Sequence, residues 1–232
     1  QPFIVDTVRL LLQDVDANYV TGFNVVLPVK RDGRGRMTAV GEWDGQLESM
    51  VQVETFGLDA SAFQAAETRL LEHLHLSQAM VADFKEMTGA VDRIVDRLEQ
   101  AAVRLPDRAD SCREAAEFLG WLLGDNFGFM GVAIGDTRLG FERRGGSPKT
   151  GRTSKKAKQT WDECGWGDIP VQVRKSVSES PVHRSGRIDE IRIQVPGKGG
   201  SVQETAFLRG MFTYRAVTQA SRHVPGLRRR LL

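Results

Sequence analysis

The sequence predicts an α+β fold built as two successive domains, residues 1–105 and 106–232. Three features carry this reading. Apolar residues recur at helical spacing in separate blocks, other stretches alternate apolar with polar side chains, and glycine-rich turns join those alternating stretches. An alternating strand has one wet and one buried face, which implies antiparallel sheets with helices on the apolar side.

The elements follow in order. PFIVDTVRLLLQDVD reads as a helix: Pro2 suits a first helical position, and Ile4, Val8, Leu11, Leu12 and Val15 share a face. A strand follows in which Phe23, Val25, Leu27 and Val29 point to one side, with Pro28 marking an edge or bulge. Asp32-Gly33 and Gly35 turn the chain, and it returns through Met37 to Trp43. QLESMVQVET alternates again, with Leu47, Val51 and Val53 opposite Glu48, Gln52 and Glu54.

From Ala60 to about Leu105 the pattern is helical, with a stripe at Met80, Phe84, Met87, Val91, Ile94 and Leu98. HLHLS, residues 73–77, alternates and reads as a short closing strand between two helices. LPDRAD reads as a linker. Ser111 and Glu114 form an S-x-x-E capping box, opening a helix whose face is Ala115, Phe118, Leu119, Leu122 and Leu123. Gly124-Asp125-Asn126 ends it. Strands are expected near 127–134, 139–143, 169–175, 187–195 and 202–213, the last two joined at PGKGG. Residues 142–160 form a basic loop without apolar periodicity, expected to be mobile.

Composition narrows the class. At 232 residues, 41% hydrophobic and 27% charged, the chain is an ordinary globular protein. No apolar run approaches a membrane helix, and no signal segment opens the chain, so the cytoplasm is expected. A net charge of +2 is too small to argue for nucleic acid. Cys112 and Cys164 stand apart, without metal-ligand spacing. The chain opens on Gln1 rather than Met, which suggests a segment of a longer polypeptide.

Tests for chemistry return little. GSPKTGRT has the frame of a phosphate loop, but Arg152 stands where a lysine is required. GFMGVAIG lacks the order of a dinucleotide loop. His73 and His75 would share a strand face, yet no third metal ligand accompanies them, so surface histidines are the better account. SPVHRSGRIDEIRIQV sets His183 and Arg184 at the entry to a strand. They read either as an acid–base group with an anion clamp or as the fastening of a hairpin, in which Arg184 or Arg187 pairs with Glu179, Asp189 or Glu190. The fastening is favoured, because neither an orienting partner nor a pocket is legible.

Taken together, PFIVDTVRLLL, ESMVQVET, EAAEFLGWLLGDNFGFMG, SPVHRSGRIDEIRI, ETAFLRGMFTYRAV and HVPGLRRRL form an ordered set. It resembles the region near the N-terminus of the large bacterial NAD-dependent glutamate dehydrogenases. The resemblance spans nearly the whole chain and weakens over 60–105 and 142–168. RSGRIDEI lacks the aromatic common after its aspartate, and SVQETAFL keeps Glu204 and Phe207 without the basic residue usual between them.

The resemblance implies an ACT-like βαββαβ domain, its first strand lying before Gln1, followed by a PAS-like domain. It implies an enzyme converting glutamate to 2-oxoglutarate and ammonia with NAD, the NAD being held in a catalytic domain elsewhere. This segment would hold no catalytic residue, cofactor or metal. Its partners would be other domains of the same polypeptide, further copies of the enzyme and an amino-acid effector, with neither nucleic acid nor membrane. Gln1, Pro2, Phe3, His183 and Arg184 are the residues expected at a ligand or domain interface. A free-standing ACT/PAS regulatory module and, less strongly, a nucleic-acid-binding protein acting through its basic loop and tail are the alternatives.

Overall fold

Helix α1 (Ile4–Asp14) forms where the apolar spacing places it, and it buries Thr7 and Leu11. Its N-cap is Phe3, in the left-handed conformation at φ 67°, and the Phe3 carbonyl accepts the Thr7 N–H at 2.9 Å and the Thr7 hydroxyl at 2.6 Å. Pro2 therefore lies one residue outside the cap rather than at the first helical position. The computed structural model describes residues 2–144, 161, 165–166 and 169–226. These divide into two compact units, Gln1–Ser77 with Pro181–Arg184, and Gln78–Ser180 with Ser185–Leu232.

In the first unit β1 (Asn18–Arg31) is central. It pairs antiparallel with β3 (Gln46–Phe56) and, at its far end, with β2 (Met37–Val40). The Asp32 carboxylate closes the intervening turn by accepting the N–H groups of Arg34 and Arg36, each at 2.9 Å. The register corrects the expectation of one buried and one wet face. Phe23 faces Gln52 and Leu27 faces Glu48, whereas Val51 and Val53 face Asn24 and Gly22. Cross-strand partners share a face, so the apolar rows of the two strands lie on opposite sides of the sheet. Phe23 is left 52% exposed, and Met50 and Phe56 are also exposed.

Helix α2 (Ala60–Ala82) starts behind Asp59, whose carboxylate accepts the Ala62 N–H at 2.8 Å. It runs unbroken through residues 73–77, so the closing strand expected there does not form. His73, Leu76, Ser77 and Met80 are buried, a three- and four-residue spacing that fits a helix face. The break comes at Asp83, and α3 (Phe84–Arg104) carries the stripe, with Met87, Val91, Ile94 and Leu98 buried.

Pro106–Arg108 make a tight turn into α4 (Ala109–Trp121). Ser111 lies inside this helix, its hydroxyl bonded to the Arg108 carbonyl at 3.0 Å, and the buried Glu114 accepts the Gly226 N–H. The capping box expected from S-x-x-E is thus not the one used, because Glu114 is recruited by distant backbone. Ala115, Phe118, Leu119 and Leu122 are buried as expected, and the chain turns at Asp125, φ 62°.

Six strands follow among the described residues: β4 (Phe127–Ile134), β5 (Thr137–Gly140), β6 (Gly165–Trp166), β7 (Ile169–Glu179), β8 (Arg187–Pro196) and β9 (Val202–Phe212). They form one antiparallel sheet in the order β5-β4-β9-β8-β7-β6, and α5 (Tyr214–Thr218) follows β9. Helices α3 and α4 pack on the sheet. The buried row runs Val132, Leu208, Ile191, and the neighbouring row holds Ala206, Ile193 and Val171. On the other face Arg174, Glu190 and Arg209 stand side by side. Gly210 is required where β9 meets β4, because a Cβ there would collide with the Gly128 carbonyl and the Phe127 ring.

Asp83 ties this sheet to its helices. Its buried carboxylate accepts the Gly140 N–H at 2.7 Å and both a near and a far nitrogen of Arg143. The Arg143 guanidinium beside it, with the Gly140 N–H, holds the carboxyl below the usual aspartate range. Asp83→Asn is expected to lower the unfolding free energy by about 2 kcal/mol, read as a lower urea midpoint at an unchanged slope.

Candidate functional site

Of the interface residues expected from sequence, the structure brings together Phe3 and His183. Their ring centroids lie 4.7 Å apart at 63°, an edge-on contact. Both residues have left-handed backbone, at φ 67° and φ 69°. Left-handed conformations are costly for side chains of this bulk, so each local geometry is held by its surroundings. For Phe3 the holding group is the Thr7 double hydrogen bond; for His183 it is the tight turn closed by the Arg184 N–H on the Val182 carbonyl at 2.9 Å, with Val182 itself fully buried.

The electrostatics of His183 favour the neutral ring. Desolvation depresses its pKa, the Arg184 cation depresses it further, and Asp6 opposes both. A neutral imidazole packed edge-on against a phenyl ring is a contact group. Pro2 is exposed beside the pair, and Gln1 lies outside the described residues.

The ion pairs expected to fasten this loop are made differently. The Arg187 guanidinium donates to the carbonyls of Ser176 at 2.6 Å and Lys175 at 3.1 Å. Asp189 instead pairs with Lys175 at 2.8 Å, and Glu190 pairs with Arg174 at 2.8 Å and Arg209 at 3.2 Å. Cross-strand register decides this, because Lys175 faces Asp189 and Arg174 faces Glu190. Arg209 also reaches Glu142, so Arg174, Glu190, Arg209 and Glu142 form a continuous chain of charge across the polar face of the sheet.

His73 and His75 do not share a face, because two residues along a helix turn the side chain most of the way round. His75 is exposed, whereas His73 is fully buried with neither ring nitrogen hydrogen-bonded among the described residues. Burial, aided by the Arg69 charge, pushes its pKa down to about 4. Among the described residues no group of three or more His, Cys, Asp or Glu could hold a metal ion. Cys112 is buried and its thiol pKa is raised by that burial, which makes it unreactive. The expected loop over 142–160, including the GSPKTGRT frame, and Cys164 fall outside the described residues from 145 onward.

A narrow groove runs between α1 and the sheet, lined by Val5, Val8, Leu12, Tyr19, Gly22 and Val53. Its volume of about 40 Å³ is that of a single water, so it is a packing seam rather than a ligand site.

No protein-family model matches the chain. It is similar to the NAD-specific glutamate dehydrogenase of Halomonas elongata, at 31% identity over 99% of this chain and 16% of that protein. The NAD-specific glutamate dehydrogenase of Pseudomonas aeruginosa matches at 26% identity over 98% of this chain and 15% of that protein. The resemblance carried by the six ordered stretches is therefore borne out along nearly the whole chain, which spans about one sixth of the length of these curated relatives.

Two outcomes are expected from the site geometry. Phe3→Ala removes the ring contact and keeps the left-handed strain, whereas Phe3→Gly removes both. The glycine variant should therefore be the more stable of the two by about 1 kcal/mol in urea titration. For His73 the folded pKa lies below the unfolded value, so the unfolded chain binds more protons as pH falls from 6.5 to 4. Stability is full above pH 6.5 and falls through that window by roughly 3 kcal/mol. His73→Phe should reduce that pH slope, read as a melting temperature that falls less between pH 7 and pH 5 than in the unsubstituted chain, the depressed His183 pKa supplying what slope remains.

Proposed function

We propose that this chain is a regulatory and assembly segment, without catalysis of its own, of a large NAD-dependent glutamate dehydrogenase. In the parent polypeptide, oxidative deamination of L-glutamate to 2-oxoglutarate and ammonia would take place in a separate domain that holds NAD. One observation carries the reading: similarity to two NAD-specific glutamate dehydrogenases covers nearly all of this chain and about one sixth of theirs.

The geometry supports the division of labour. The first unit, with its helix, antiparallel strands and second helix, suits an ACT-like module. The second, with helices on one face of a six-stranded antiparallel sheet, suits a PAS-like one. Pro2, Phe3, His183 and Arg184 would serve as interface residues, since their arrangement is a contact surface rather than an acid–base constellation. The partners would be the remaining domains of the polypeptide, further copies of the enzyme and an amino-acid effector, in the cytoplasm. No helix among the described residues is long and apolar enough to cross a membrane.

With L-glutamate and NAD, this chain alone is expected to form no NADH, while the full polypeptide containing it does. Deleting the segment from that polypeptide should change its sedimentation and its response to amino acids. NADH formed by the chain alone, or a deletion that alters neither property, would sink the reading.

A further inference from the structure

The turn between β2 and β3 displays one tryptophan almost wholly to solvent. Trp43 is 94% exposed, yet the turn that carries it is tied down. The Lys30 ammonium bonds the carboxylates on either side of it, Glu42 and, at 2.9 Å, Asp44. The Gly41 N–H donates to the Pro28 carbonyl and the Gly45 N–H to the Glu42 carbonyl, each at 2.9 Å. A large apolar side chain on a turn held this firmly loses little freedom when it is covered, which is what an interface anchor requires. Two acids against one lysine leave the tip negative.

The second unit carries a complementary feature. A cleft of about 190 Å³ opens where the β8–β9 turn approaches the start of α4. Pro170, Val171 and Val202 give it apolar walls, Gln194 an amide and Arg108 a guanidinium, and among the described residues no Asp or Glu lines it. Arg108 donates one N–H to the Gly200 carbonyl at 3.0 Å, which fixes the guanidinium beside the cleft. Lys198 is exposed on the same turn and adds a second cation. Arg192 also lines the cleft, but it is already bonded to Gln172 and lies 5.2 Å from the Trp161 ring, so nothing is asked of it.

We propose that Trp43 of one copy docks in this cleft of a second copy. The space corresponds to roughly six waters at about 30 Å³ each, which suits a single bicyclic ring. The valines and Pro170 accept the indole body, the Gln194 amide oxygen accepts its Nε1–H, and Glu42 and Asp44 come against Arg108 and Lys198. The contact is head-to-tail, because the copy that gives its tryptophan keeps its own cleft for another. One aromatic anchor covers only about 250 Å². That is far less than a stable complex buries, so the chain alone associates weakly, with a Kd on the order of 0.1–1 mM. This self-association does not rest on the function proposed above; its use in assembling the enzyme does.

The test is sedimentation equilibrium of the 232-residue chain at concentrations up to about 1 mM. The chain is expected to associate, less so as salt is added. Trp43→Ala and Val202→Glu should each weaken association about tenfold or more. Both side chains are more than half exposed, so neither change is expected to lower the melting temperature. Should Val202→Glu lower it, Arg108→Glu takes its place. Mixing is decisive: Trp43→Ala keeps its cleft and Val202→Glu keeps its tryptophan, so together they should form a dimer that neither forms alone and that grows no further. A chain that stays monomeric, association that ignores Trp43→Ala, or a mixture no larger than its parts would overturn the proposal. Head-to-tail association of the chain, with a full polypeptide whose sedimentation ignores deletion of this segment, would uphold the contact and refute the assembly reading instead.

Discussion

The second unit depends on one buried carboxylate. Asp83 stands at the break between two long helices, where an aspartate would ordinarily cap the second of them. Its side chain makes no capping bond and turns instead to the Gly140 N–H and the Arg143 guanidinium. A charge taken out of water in this way is tolerable only with its partners in place. The helix break, the end of β5 and the turn that follows must therefore form together. Gly140 answers the same demand: at φ 58°, a Cβ would strike the Met130 carbonyl.

Once that corner is set, the sheet sorts its side chains by chemistry. One face carries the aliphatic rows, with the Lys175–Asp189 pair at their end, and the opposite face is a ladder of arginines and glutamates matched across strands. Glu190 and Glu142 are buried in this ladder, so each carboxylate needs its arginine partners in place. The ladder also fixes register, because a slip of one residue would part these cross-strand pairs and turn the aliphatic row outward.

The first unit is organised less tightly. Its sheet carries apolar side chains on both faces, a consequence of register between β1 and β3, and several remain exposed. His73 adds a buried imidazole without a hydrogen bond among the described residues, a pH-dependent weakness in an otherwise well-formed helix. The left-handed Phe3 and His183 add local strain. Exposed apolar side chains and strained contact residues of this kind are what the assembly role proposed above would draw on.

The sequence by itself determined the α+β class, nearly every strand of the second unit, the α3 and α4 faces and the turns at Asp32 and Pro196–Gly200. These are set by local rules of periodicity, turn chemistry and backbone freedom, which act within a few residues. It also pointed to Phe3 and His183 through the stretches that carry the family resemblance. Only the tertiary structure decided that residues 73–77 continue a helix, since HLHLS satisfies either period until burial selects one. Only the tertiary structure gave Glu114 to a distant backbone N–H and Asp189 and Glu190 to Lys175, Arg174 and Arg209, because partners far apart in the chain compete with near ones. It alone set Phe3 against His183 and placed Arg108, read from sequence as part of a linker, in one cleft with Arg192. Contacts between residues so widely separated leave no period or motif in the chain, and they exist only after the sheet has fixed which side chains share a face.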